Sequence, residues 1–503
     1  MWASGDRPSR DVAVLDVGSN SVRLVMYRLE GRAIWTVFNE KVLAGLGRSV
    51  GETGALSPEG VTAAMSALRR FHAVLDGSSP IQVFSAATAA VRQAKDGPAF
   101  VARVRAETGL DIRVLSGEEE AHFSALGVAA GQPDANGVVG DLGGSSLELV
   151  RIAEGLPGPG VTLPLGPFAL GAPAPIEPLA TARAIRARLA RCADAYTSDT
   201  FYAVGGAWRN IALIHMEATG YPLRIVHQYE MGARDALDAA RFVAQQSRAS
   251  LERMPGVSKK RAETLPYAAL VLEALVETLQ LQRVCFSAYG LREGLLLDAM
   301  SPELRAQDPL VEGCAALGAR MGASDSLGPA LEDWLRPLWT ALPPLFEGSP
   351  PRDALLLAAA CRLADLGARL HPDHRADLAF DQVLRAPIAG QSHPERAYLA
   401  AAVFSRHTSQ VAIRPDSGLA RVLTPERLTR ARALGAAMRL ACDLSGRSET
   451  LLAVCSLDLR EGVLVLSLKP GASDLLLGEQ TRKRLSSLAG VLGYGHRIET
   501  SAA

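Results

Sequence analysis

From Asp11 to Tyr27 the chain reads DVAVLDVGSNSVRLVMY, two apolar runs joined by a Gly/Ser/Asn turn, the pattern of a β-hairpin. GVVGDLGGSSLELVRI repeats it, with VVGDL and LELVRI flanking Gly143, Gly144, Ser145 and Ser146. Between the two, helix and strand signals alternate. Val61, Met65, Leu68, Phe71 and Leu75 fall at helical spacing over 58–76, opened by Ser57 as N-cap and Pro58 in the first turn. IQVFSAA and IRVLS read as strands, and helices are expected over 100–108 and from Glu118 onward, capped by Ser116. Such alternation predicts an α/β domain, and the repeated hairpin suggests a duplicated half-domain.

Further along, GLPGPGVTLPLGP reads as a Pro/Gly-rich loop, while 181–194 and 260–280 carry helical patterns. FYAVGGAWRNIA reads as a strand running into a helix across Gly205 and Gly206, which makes a third loop of nucleotide-binding scale at 204–210. Beyond Met300 the pattern becomes Ala/Leu-rich and helical to about Leu444. The last segment alternates like two strands and a helix.

Length and charge narrow the field. A chain of 503 residues is long enough for several domains, and its 48% hydrophobic and 21% charged residues are ordinary for globular proteins. Lys plus Arg and Asp plus Glu both total 53, so no overall field draws the protein to nucleic acid or to an acidic membrane face. An anionic ligand must therefore be held by local arrangement. The six cysteines are scattered without a CxxC pair, which predicts buried thiols. The N-terminal MWASGDRPSRD lacks an apolar signal core and no run is long enough to span a bilayer, so the expected location is the cytoplasm.

The chemistry gathers at the two hairpin turns. Turns rich in Gly, Ser and Asn turn successive N–H groups and hydroxyls toward one point, as a phosphate oxygen requires. Asp16, Gly18, Ser19, Asn20 and Ser21 form one such loop, with Arg23 just beyond it; Asp141, Gly143, Gly144, Ser145 and Ser146 form the other. Each begins with an Asp at the end of an apolar strand. Glu148 shares a face with Ser146 on the emerging strand. A carboxylate beside a phosphate loop calls for a cation between them, which makes Asp141 and Glu148 the candidate Mg²⁺ ligands.

In SGEEEAHFSALG three consecutive glutamates exceed what helix capping needs, so one is a candidate general base for an attacking water. Thr88 and Arg92, at a strand-to-helix junction, are further candidate phosphate contacts. No P-loop, GxSxG elbow or HExxH is present. Asp365, His371, His374, His393 and His407 in the helical half read as ordinary helical residues rather than as a metal cluster.

VAVLDVGSNSVRLVMY, FSAATAAVRQA, VLSGEEEAHFSALGV, VVGDLGGSSLELV and YGLREGLL, in this order, resemble the exopolyphosphatase and guanosine pentaphosphate phosphohydrolase (Ppx/GppA) family over about the first 300 residues. The resemblance implies an α/β fold of two ribonuclease-H-like domains of the actin-like ATPase superfamily, over 1–126 and 127–301. It further implies an all-α HD-like domain over 302–444 and a small α/β domain over 445–503. It assigns catalysis to Glu120, phosphate contacts to the two loops, and metal binding to Asp141 and Glu148. Where this family often has a third glycine after the Asp, the chain has Ser145, and YAVGGAWRNIA departs from the usual GTGGT. Leu363, Ala364 and Asp365 stand where a working HD site would read LHD, so that domain is expected to be structural, with Arg369, His371, His374, Arg375 and Arg396 lining a basic channel.

The implied activity is Mg²⁺-dependent, processive release of orthophosphate from the end of inorganic polyphosphate. The alternatives are a guanosine pentaphosphate 5′-phosphohydrolase and a non-catalytic polyphosphate or nucleotide sensor. The implied assembly is a homodimer, with no nucleic-acid or membrane partner.

Overall fold

The computed structural model describes residues 9–174, 176–257, 259–346, 350–409, 413 and 418–500. The start of the segment that lacks a signal core, residues 1–8, lies outside them. The chain forms two compact units, Met1–Gln307 and Asp308–Ala503.

The first unit contains two sheets. One comprises β1 (Arg10–Val17), β2 (Val22–Glu30), β3 (Ala33–Val42), β4 (Gln82–Ala87) and β5 (Arg113–Val114), in the order β3-β2-β1-β4-β5. The other comprises β6 (Gly137–Leu142), β7 (Leu147–Ala153), β8 (Leu156–Leu163), β9 (Thr200–Val204), β10 (Tyr229–Gly232) and β11 (Arg283–Phe286), in the order β10-β11-β9-β6-β7-β8. From β8 to β11 the second sheet repeats the strand order of the first, with a meander of three strands leading to a parallel strand beside the first of them. This repetition is the duplication suggested by the two hairpins.

Both faces of the central strands are covered, as parallel pairing requires. Val14, Val25 and Tyr27 from one sheet share an apolar cluster with Val139, Val150 and Tyr202 from the other, so helices Gly117–Gly131 and Leu291–Ala299 lie packed in the layer between the sheets. These two helices approach closely because Gly127 and Gly294 have no side chain: a Cβ at Gly127 would overlap the Gly290 carbonyl, and one at Gly294 the Phe123 carbonyl. That approach brings Gly127 and Gly294, 167 positions apart in the chain, against each other.

One reading of the sequence is corrected here. GLPGPGVTLPLGP is not simply a loop, because Leu156–Leu163 forms strand β8, paired antiparallel with β7. It is an edge strand, where the missing N–H groups of Pro157 and Pro159 need not break a ladder on both sides. β3 also extends the first hairpin to a three-stranded meander.

In the second unit, helices Pro309–Arg320, Leu327–Thr340, Pro350–Arg362, Arg375–Arg385, His393–His407 and Pro425–Ser445 are followed by β12 (Cys455–Arg460), β13 (Val463–Leu468), helix Glu479–Leu492 and β14 (Gly495–Thr500). The C-terminal segment thus has three strands, not two, because GHRIET pairs parallel with β13. Arg396 does not line a channel with its expected companions. It is buried, and its guanidinium donates to the carbonyls of Ala386 and Ile388, while His371 and His374 are exposed. Asp365 is paired with Arg447 at 2.9 Å. All six cysteines are free thiols, and no helix of the described residues is long and apolar enough to cross a membrane.

Candidate phosphate site

The two turns have the same internal geometry. Gly18 N donates to the Ser21 carbonyl at 2.9 Å, and Gly143 N to the Ser146 carbonyl at 2.9 Å. Each loop is anchored from behind: the Ser19 carbonyl accepts from Gly47 N at 2.8 Å, and the Gly144 carbonyl from Phe168 N at 2.9 Å. The loops face each other so closely that a Cβ on Gly144 would meet the Ser19 side chain at 3.0 Å.

The duplication has a charge inversion built into it. In the first hairpin Asp16 stands directly across from Arg23; in the second, at the equivalent register, Asp141 stands across from Glu148. Directly opposed residues project to the same face. One loop therefore presents an acid with a base, and the other presents two acids.

Between the loops is a cavity of about 160 Å³. Asp16, Gly18, Ser19, Asn20, Ser21, Arg23, Thr88, Glu120, Asp141, Gly143, Gly144 and Ser146 all line it. Three expected residues do not. Ser145 turns toward the first domain, its hydroxyl packed against Gly47, so the serine at the third loop position is absorbed by a glycine 98 positions away. Arg92 is bonded to the Leu115 carbonyl at 2.7 Å and to Glu120 at 2.9 Å. Glu148 is buried behind the loop, and its Oε1 has no hydrogen-bond partner among the described residues.

The three consecutive glutamates divide their work. Glu118 is exposed, and Glu119 completes a capping box with Ser116. Glu120, one step further round the helix, is only 7% exposed and faces the cavity. Burial raises its carboxyl to about 7, with Arg92 opposing and Asp141 and Asp16 adding to the rise. Burial also raises Asp141, against the Ser124 hydroxyl that donates to it at 2.6 Å. Glu148 is held well above the ordinary carboxylate range by burial and by Glu120 and Asp141. The Ser146 hydroxyl lies close enough to lower it in part, without a hydrogen bond of ordinary geometry.

Carboxyls of Glu120, Asp141 and Glu148 close enough to raise one another, one with an oxygen that no described residue bonds, suit a divalent cation. Among the described residues no group of three or more His, Cys, Asp or Glu side chains is placed to hold a metal ion by itself, so any cation here would depend on ligands from outside the protein.

The cavity also has a strongly basic lining, and most of it was not anticipated. Lys41 on β3, Arg209, Arg261 and Arg292 line the cavity together with Arg23. Arg209 comes from the third loop, where Gly205 adopts φ +119°, a conformation open to glycine, and Gly206 leaves room for the Arg261 guanidinium that a Cβ would overlap. Crowding is evident in the acidities: Arg209 is lowered to about 10 by burial and by Arg292, Arg23 and Arg261. Lys41, although exposed, is lowered to about 7 by desolvation and by Arg261, Arg23 and Arg209. Arg292 behaves differently, because Glu293, Tyr27 and Asp16 outweigh the effect of burial and raise it. It donates to Asp16 at 3.1 Å, and Glu293 is itself fixed by the Tyr27 hydroxyl at 2.6 Å and the Gly290 N–H at 3.0 Å. Arg23, the third loop with Arg209, and YGLREGLL with Arg292 were visible in the sequence; Lys41 and Arg261 had no signal.

Paired sheets of matching strand order, with a loop from each lining one cavity, make a duplicated α/β fold with a polar site between its halves. The chain belongs to the Ppx/GppA phosphatase family, whose model matches residues 25–303, and the model of the exopolyphosphatase C-terminal region matches 351–498. It is 27% identical over 306 residues to exopolyphosphatase 1 of Mycobacterium tuberculosis, covering 58% of this chain and 89% of that one. It is 24% identical over 377 residues to the guanosine-5′-triphosphate,3′-diphosphate pyrophosphatase of Vibrio vulnificus, covering 73% and 74%. The crystal structure of an exopolyphosphatase from Cytophaga hutchinsonii superposes with a TM-score of 0.54 at 20% identity over 57% of this chain and 96% of that one, a likeness of fold.

Proposed function

We propose that this protein is an exopolyphosphatase that hydrolyses the terminal phosphoanhydride of inorganic polyphosphate. The observation that carries the reading is Glu120: a buried carboxyl near neutral pKa, held by Arg92, in the lining of a cavity that also holds both glycine-bearing loops and five cationic side chains. In this reading the terminal phosphate sits between the loops, and the basic wall holds the phosphates behind it, where a chain carrying one negative charge per unit needs compensation. Glu120 takes the proton of a water that attacks phosphorus in line as the bond to the leaving phosphate breaks. The loop hydroxyls and N–H groups share the charge that spreads over the equatorial oxygens. Asp141 and Glu148 would hold a divalent cation such as Mg²⁺, which supplies further neutralisation of phosphate charge.

The test is phosphate release from polyphosphates of several lengths and from guanosine pentaphosphate, with and without Mg²⁺. A higher kcat/KM on polyphosphate is expected. A higher value on guanosine pentaphosphate would replace this reading with the nucleotide phosphohydrolase, and absence of release from either would leave a sensor. A general base at about 7 also fixes the pH dependence. Glu120 works as its carboxylate, so kcat/KM should rise about tenfold per pH unit below pH 7 and level off above it. A profile flat from pH 5.5 to 8 would remove Glu120 from the role of base.

A further inference from the structure

Helix Leu291–Ala299 carries Arg292 and Glu293 side by side in its first turn, and the two have different duties. Arg292 lines the phosphate cavity, where its Nη1 donates to Asp16 at 3.1 Å. Glu293 is 5% exposed and lies outside that lining. Its Oε2 reaches back to the Gly290 N–H at 3.0 Å, the bond that a glutamate three residues past a cap commonly makes. Its Oε1 accepts from the Tyr27 hydroxyl at 2.6 Å, on strand β2 of the first sheet, 266 positions earlier.

Opposite charges buried on adjacent residues would ordinarily pair closely, because a buried carboxylate without a partner is costly. These two stand only at the limit of an ion pair. Arg292 Nε is 4.0 Å from Glu293 Oε1, beyond hydrogen-bond reach, and makes no hydrogen bond among the described residues. The Tyr27 hydroxyl takes that place: it donates to Glu293, and its oxygen interacts with the Arg292 guanidinium. Burial and the charge of Glu293 hold the Tyr27 phenol well above its ordinary range, so it remains a donor. Both oxygens of Glu293 are thereby engaged, and Arg292 extends to Asp16 instead.

We propose that Tyr27 and Glu293 are positioning residues for Arg292: the tyrosine hydroxyl occupies the carboxylate that would otherwise draw the guanidinium away, and so keeps it available to the phosphate substrate. Without the hydroxyl, Glu293 Oε1 loses its donor, and the nearest replacement is the Arg292 Nε already facing it. The identity of the substrate rests on the phosphohydrolase reading; the arrangement rests on the geometry alone.

The experiment compares the full-length wild type, Tyr27→Phe and Tyr27→Phe/Glu293→Gln in steady-state hydrolysis of polyphosphate with Mg²⁺. Withdrawing one charged contact from the cavity should raise KM about tenfold in Tyr27→Phe, with kcat little changed. The amide of the double variant no longer competes for the guanidinium, so its KM should return close to the wild-type value. A loss of packing alone would persist or deepen in the double variant, which makes the rescue diagnostic. The double variant also leaves no buried charge without a partner, so it decides the question even if Tyr27→Phe folds poorly: a KM still about tenfold above wild type overturns the proposal. Wild-type KM in Tyr27→Phe overturns it as well. A crystal structure of Tyr27→Phe answers apart from turnover, so that a wild type releasing no phosphate would sink the hydrolytic reading without concealing the fate of this one. Arg292 Nε within hydrogen-bond distance of Glu293 supports the proposal, and a guanidinium still bonded to Asp16 as in wild type overturns it.

Discussion

Glu120→Gln is expected to lower kcat on polyphosphate by about 10²- to 10⁴-fold, the usual contribution of a positioned general base, while leaving substrate binding close to wild type. The amide has nearly the same shape and can still accept from Arg92, so the loops and the basic wall should keep their arrangement. Structure gives a second reason to expect a clean result: Glu118 is exposed and Glu119 is committed to the capping box, so neither can substitute. Glutamine at 120 with wild-type turnover would mean that the attacking water loses its proton elsewhere.

Glu148→Gln should produce effects of opposite sign on activity and on stability. The carboxyl of Glu148 lies well above its ordinary range because burial, Glu120 and Asp141 all resist its ionisation. For an acid whose folded pKa is raised, the unfolded chain releases its proton first. Stability is therefore intact below the unfolded value of about 4.5 and declines as pH rises from there toward the folded pKa. Each unit of that rise amounts to about 1.4 kcal/mol. Without divalent cation at pH 8, the neutral glutamine should melt a few degrees higher than wild type. Mg²⁺ should then raise the melting temperature of wild type, since a ligand at 100 times its Kd contributes about 2.7 kcal/mol, and have little effect on the variant, whose Mg²⁺-dependent turnover should collapse. An equal Mg²⁺ response in both proteins would show that the cation sits elsewhere.

The first prediction draws on a residue legible from sequence, the second on a property that was not. Asp16, Asp141, the Gly/Ser turns and the capping of the glutamate helix were readable because each depends on contacts within a few residues along the chain. A strand end, a tight turn and an N-cap are decided locally. The repeated hairpin was likewise enough to suggest the duplication, since the same local pattern folds the same way twice. That Glu120 rather than Glu118 or Glu119 faces the cavity was implied by resemblance, and its burial now supplies the physical ground.

Tertiary structure alone decided the rest. Lys41, Arg209, Arg261 and Arg292 are drawn from segments up to 251 positions apart, and although Arg209 lies in the third glycine loop and Arg292 in YGLREGLL, no local pattern joins the four into one site. Ser145 looked like a loop ligand until Gly47, in the other half of the duplication, gave it somewhere else to pack. Pro157 and Pro159 argue for a loop until the sheet order puts them on an edge. The sequence by itself determined which side chains could do phosphate chemistry, because turn and cap geometry are short-range. Which of them share one cavity, acids and cations together, is set by long-range packing, and the perturbed acidities that make the site reactive exist only there.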